Sequence, residues 1–133
     1  RGVVLKGNYN DLPNLIFLPE AFDTIENWIP FFTNNQVKLF LYKYIYIYNL
    51  YEIQILNHRN VHIITPRNFG NSDRNESFDI EEVAADDKDN VVKKLSTATL
   101  AGHGYGGKVA LAAGCYHSER STGVFVVDSS PMD

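Results

Sequence analysis

Residues 97–113 read TATLAGHGYGGKVALAA: an apolar strand runs into four glycines within six positions, and an alanine-rich helix opens at once. Such a dense glycine cluster suits a chain that must turn sharply where steric room is scarce. Glycine adopts positive φ at little cost and has no Cβ to block the approach. Strand, tight turn and helix in direct succession form half of a β-α-β unit, and such units build parallel sheets flanked by helices.

The flanking sequence keeps that alternation. NLIFL at Asn14–Leu18 is a short apolar run closed by Pro19, as expected of a buried strand. Over 24–32, Ile25, Trp28, Ile29 and Phe32 recur at helical spacing, interrupted by Pro30. NVHIIT at 60–65 predicts a second strand, stopped by Pro66, and a polar loop over 67–77 turns at Gly70. The spacing of Ile80, Val83, Ala84, Val91 and Leu95 predicts a helix over 79–95, capped by Ser77 or Asp79. A strand over 97–101, a helix over 108–116 and a strand over 123–127 complete an α/β pattern, with a mostly parallel sheet covered on both faces.

One segment breaks the pattern. Residues 37–56, VKLFLYKYIYIYNLYEIQIL, hold five of the chain's eight tyrosines, among them Tyr42, Tyr44, Tyr46 and Tyr48. The period-2 alternation favours a strand apolar on both faces, and the segment reads as a Tyr/Ile-rich insertion or a gene-model artefact. Lys43 and Glu52 argue against direct membrane insertion, which needs about 20 mostly apolar residues. With 16 acidic against 12 basic residues the net charge is −4, so nucleic acid is not an expected partner. The lone Cys115 excludes an internal disulfide and is expected to be a small packing residue. His58 and His62 lie four apart, but His62 falls in a strand-like run with no further ligand, so no metal site is expected.

Two kinds of protein need the glycine turn. A dinucleotide-binding module would use Gly102, Gly104 and Gly107 as G-x-G-x-x-G, with Asp128 at the end of the next strand. A nucleophile elbow, G-x-S-x-G, would use Gly102, His103, Gly104, Tyr105 and Gly106, with glycine in the serine's place. Four segments in order favour the second. Arg67-Asn68-Phe69-Gly70-Asn71-Ser72 looks like an R-N-H-G-x-S loop, and Ala84-Ala85-Asp86 like the alanine–acid pattern of the following helix. The run from Gly102 to Ala110 looks like GHSMGGK-A, and Val126-Val127-Asp128-Ser129-Ser130-Pro131 resembles a V-D-I-A-P strand end. On these residues the chain, over 15–133 apart from the insertion, resembles the α/β-hydrolase family, most closely small esterases of bacterial and mitochondrial type.

That resemblance implies a serine hydrolase fold and also shows where its chemistry is altered. Acyl transfer needs a nucleophile, a base, an orienting acid and an oxyanion hole. Gly104 offers no nucleophile. The His-Gly pair of the oxyanion loop falls on Pro19-Glu20, where proline lacks a donor and glutamate brings negative charge. The loop histidine is Phe69, and Thr65 stands where aspartate is usual. The family's acid and histidine come after the strand ending at Asp128, beyond Asp133.

The expectation is therefore one partial domain over 1–133, the N-terminal part of the fold, with no catalytic triad and no cofactor. Its expected role is a structural or interaction subunit of a larger assembly, mitochondrial by analogy. A protein partner would cover the open sheet edge and use the tyrosine-rich segment. A fragment or faulty gene model of an ester or thioester hydrolase is the alternative.

Overall fold

Strand β2 (Asn14–Leu18) divides the core in two. Successive side chains of a strand point to opposite faces. Leu15, Ile16, Phe17 and Leu18 are all buried, so both faces must be covered. Leu15 and Phe17 pack with Ile25 and Phe32 of helix α1 (Ile25–Thr33). On the other face Ile16 and Leu18 meet Val83 and Ala84 of α2 (Ile80–Asp87) and Val109, Ala110 and Ala113 of α3 (Tyr105–Tyr116).

The computed structural model describes residues 2–7, 11–33, 59–70, 72–77, 79–87, 97–116 and 118–129. The insertion over 37–56, with Tyr42, Tyr44, Tyr46 and Tyr48, lies outside the described residues, as do His58, Ser130, Pro131 and the stretch 88–96, where the predicted second half of the 79–95 helix falls. Asp79 caps α2: its Oδ1 accepts the amides of Glu81 and Glu82 at 2.9 and 3.2 Å, and Ser77 Oγ in turn accepts the Asp79 amide.

Among the described residues the sheet has five strands in the order β1 (Gly2–Leu5), β3 (Val61–Ile64), β2, β4 (Ala98–His103) and β5 (Ser121–Val127). β1 runs antiparallel to β3, and the other pairs are parallel. The sequence pattern does not predict β1. Its signal is only GVVL, and its reason for being a strand is remote, in the register Gly2↔Ile64 to Leu5↔Val61 and the packing of Val3 and Leu5 beside α1.

Three expectations are corrected. The strand expected over 97–101 and the helix expected over 108–116 reach further into the glycine cluster: β4 continues through His103 and α3 starts at Tyr105, because Gly102, Gly106 and Gly107 are places where strand and helix backbones meet. Cys115 is exposed rather than packed, since the face of α3 that meets β5 does so through Gly114, where an added Cβ would collide with Val124. Helices flank the sheet on both faces as expected, but among the described residues the cover on the α1 face does not reach β5. α1 lies over β1 to β3, and Phe125 and Val127 of β5 remain 65% and 41% exposed on their side of the sheet.

His62, in the middle of β3, is half-buried, and its Nε2 has no hydrogen-bond partner among the described residues. Burial and the positive charge of Lys6 hold it below the ordinary value of 6.5. The unfolded chain therefore takes up this proton first, and the linkage has a definite sign. Stability is full above 6.5 and is lost as the pH falls through that value toward the folded state's lower one. Denaturant midpoints measured on either side of 6.5 are expected to drop on acidification, and His62→Gln is expected to flatten that drop.

Candidate functional site

The order of the strands locates the site before any side chain is considered. From β2 the chain adds β3 on one side, then crosses back to add β4 on the other. Helices leaving the two strands lie on opposite faces, so a crevice opens beyond the carboxyl ends of β2 and β4. Three loops reach it: Pro19-Glu20 after β2, Phe69 from the segment after β3, and Gly104-Tyr105 between β4 and α3.

The β4–α3 turn has the geometry of a nucleophile elbow. Gly104 sits at φ +55°, its amide donates to Val127 O, and its carbonyl accepts the Lys108 amide at the start of α3. Glycine holds this left-handed conformation without a Cβ penalty. Around it the backbone is crowded. A Cβ on Gly102 would stand 2.6 Å from Gly107 N, and one on Gly106 would stand 2.5 Å from the Leu18 carbonyl carbon. Glycine at both positions lets α3 press its first turn onto the ends of β2 and β4.

Glu20 occupies the centre of this arrangement. Its Oε1 accepts the Ala21 amide at 2.7 Å and the Tyr105 amide at 2.9 Å. In an elbow the oxyanion is held by the amide after the nucleophile and by an amide from the loop after an earlier strand. Tyr105 and Ala21 occupy those two places. The sequence led to the expectation that Pro19 removes a donor here; the two donors that converge belong to neighbouring residues, and both are directed at the chain's own carboxylate.

Aromatic rings frame the crevice. Phe69 contacts Tyr105 at a centroid distance of 5.1 Å and Phe22 at 5.8 Å, and Phe22 is 94% exposed. Asn68 holds the Phe69 loop in shape at φ 73°, with its Nδ2 donating to Ser77 O and its Oδ1 accepting the Asn75 amide. Arg67, two residues before Phe69, is clamped by Asp86 of α2 through Nε and Nη2 at 2.5 and 2.6 Å. This ties the R-N-F-G loop to the alanine–acid helix. Thr65 is buried, and its carbonyl accepts the Ser72 hydroxyl at 2.7 Å.

His103, the last residue of β4, packs its ring 5.7 Å from Trp28. Its Nε2 lies 3.9 Å from Asp128 Oδ2, at the limit of an ion pair, and Asp128 is 90% exposed. Asp23 organises the entry to α1: it accepts hydrogen bonds from the Thr24 amide, Asn27 Nδ2 and Trp28 Nε1, the last at 2.6 Å. Burial pushes its carboxyl up, but those three donors together, with His103 nearby, outweigh burial and leave it below its ordinary 3.8. Among the described residues, no cluster of three histidine, cysteine or acidic side chains is placed to hold a metal ion. Sequence reasoning singled out Glu20 for its charge but not for its contacts. The bond from Glu20 to Tyr105 spans 85 residues and has no local signal.

A mixed five-stranded sheet with helices on both faces and a glycine-built elbow at the strand switch is the α/β-hydrolase fold. Solved structures agree. A marine microorganism esterase superposes with a TM-score of 0.68 at 21% identity, over 95% of this chain and 40% of its own. The N-formylmaleamic acid deformylase of Pseudomonas putida S16 gives 0.66 at 19% identity, over 96% and 42%. An alpha/beta hydrolase enzyme from a Medee basin deep-sea metagenome library gives 0.61 at 14%, over 95% and 39%. The chain thus spans about two fifths of the length of the structures it matches, and at these identities it is the fold that is shared. No family model matches the sequence, and no curated protein matches it.

Proposed function

We propose that this chain is a non-catalytic α/β-hydrolase-like protein that serves as a structural or interaction subunit of a larger, mitochondrial assembly. The observation that carries this reading is the carboxylate of Glu20 on the amides of Ala21 and Tyr105, beside a glycine where the nucleophile belongs. Acyl transfer needs those amides free for a developing oxyanion, and here a full negative charge already holds them. The same carboxylate stands against pyrophosphate at this helix N-terminus, which weakens the dinucleotide reading of Gly102, Gly104 and Gly107.

The interaction surface is the sheet edge at β5, supplemented by Tyr42, Tyr44, Tyr46 and Tyr48. Phe125, with 65% of its surface exposed beside Val127, is a large apolar side chain on a strand paired on one side only among the described residues. The single partial domain with its 37–56 insertion belongs to the same proposal. A second reading, a fragment of a serine ester or thioester hydrolase, is favoured by the two-fifths coverage.

The test is paired. A serine-directed fluorophosphonate probe is expected to leave the full chain unlabelled, and the tagged chain from its native source is expected to elute in a complex that Phe125→Asp disrupts. Clear labelling, or a stably folded monomer unaffected by Phe125→Asp, would overturn the reading.

A further inference from the structure

We propose that Glu20 is a built-in occupant of the elbow, an autoinhibitory carboxylate that closes the two-amide site from within and competes with any side chain at position 104 for the same space. Two separate contacts support this. Oε1 satisfies the Ala21 and Tyr105 amides at 2.7 and 2.9 Å, the second of them at the positive end of a twelve-residue helix. Meanwhile a Cβ placed on Gly104 would lie 2.9 Å from Oε1 and closer still to Oε2. One carboxylate therefore fills both the anion site and the space that any side chain at 104 would need.

The consequence is a coupling between positions 20 and 104. Serine restored at 104 alone must first push the flexible Glu20 side chain aside, and the carboxylate then gives up its hydrogen bonds to the Ala21 and Tyr105 amides. Removing the carboxylate alone leaves two converging amides and open volume. The pair of changes yields an elbow with both a side chain and an accessible hole without that displacement. A substrate carbonyl meets a like obstacle: a negative charge already sits where its oxygen would develop one.

Four proteins test the coupling: the full chain, Gly104→Ala, Glu20→Ala and the double variant, each followed by thermal unfolding. The strain of alanine at φ +55° is common to both arms and cancels in the cycle. Gly104→Ala is expected to cost distinctly more Tm in the parent than in the Glu20→Ala background, and equal losses overturn the proposal. If alanine at 104 prevents folding in both backgrounds, Glu20→Ala by itself decides. Acetate titrated into that 15N-labelled variant is expected to move the Ala21 and Tyr105 amide resonances together and to raise Tm, while leaving the parent unmoved. Acetate that moves neither amide in the variant, or moves both equally in the parent, overturns it. Neither readout involves turnover or a partner, so failure here is distinguishable from failure of the proposed interaction role.

Discussion

Gly106→Ala is expected to lower Tm by roughly 10 °C or more. The added carbon would meet the main chain of β2, with the Leu18 carbonyl carbon at 2.5 Å and the Leu18 and Pro19 oxygens nearer still. A flexible side chain can rotate away from such an intrusion, but a strand paired on both sides cannot. β2 is bonded to β3 over Leu15–Phe17 and to β4 over Asn14–Leu18, with Leu18 opposite Gly102. The helix must therefore lift off the sheet, and the neighbours of Val109 and Ala110 in the core lift with it. Overpacking a close-packed site costs about 3 kcal/mol, and more where backbone is the obstacle, against a total stability of about 5–15 kcal/mol for a domain. Thermal unfolding followed by circular dichroism measures this directly. A Gly106→Ala chain as stable as the parent would show that the approach of α3 to β2 is not a constraint on the fold.

Position 106 also marks how far the sequence could be read. Its glycine belongs to a local pattern, and local patterns were legible: the NLIFL run between Pro13 and Pro19, the Asp79 cap, and the strand–turn–helix around Gly104 all depend on neighbours within a few residues. What was not legible depends on distant partners. β1 is a strand because Val61–Ile64 lies beside it, some sixty residues later, and four apolar residues carry no mark of that. The place of Cys115 in an apolar helix predicts a packing residue, but the contact with β5 falls to Gly114, one position away, which leaves the sulfur outside. Glu20 was legible as a charge in the wrong loop. That its oxygen reaches the Tyr105 amide depends on β2 and β4 being neighbours, a matter of topology rather than composition.

The two core clusters differ in how they relate to the site. The face with α2 and α3 holds the elbow helix, whereas the face with α1 holds the loop of Glu20 through Ile25, Trp28 and Phe32. Trp28 packs 4.4 Å from Phe17 and donates to Asp23, so the loop that delivers Glu20 is fixed from below by the aromatic core. Gly104 and Glu20 line the mouth of the crevice without entering either cluster. The residues that hold the fold and those that line the crevice are therefore largely distinct.

Ile16→Ala tests the same separation from the side of the core. Ile16 is fully buried in the middle of β2, its side chain enclosed by α2 and α3. Removing three carbons forfeits roughly 2.4 kcal/mol at about 0.8 kcal/mol per methylene, and the cavity adds to it, because a strand held between β3 and β4 cannot move to close the gap. The expected loss is about 4 kcal/mol, read as a lower denaturant midpoint at unchanged slope. Phe125→Ser removes a larger apolar side chain from β5, yet in the isolated chain it is expected to change stability by no more than about 0.5 kcal/mol, because Phe125 is already 65% exposed. The contrast separates apolar surface that holds the fold from apolar surface that the fold leaves uncovered. If Phe125→Ser proved as costly as Ile16→Ala in the isolated chain, β5 would already be covered by other parts of the chain, and its exposed face would no longer be available to a partner.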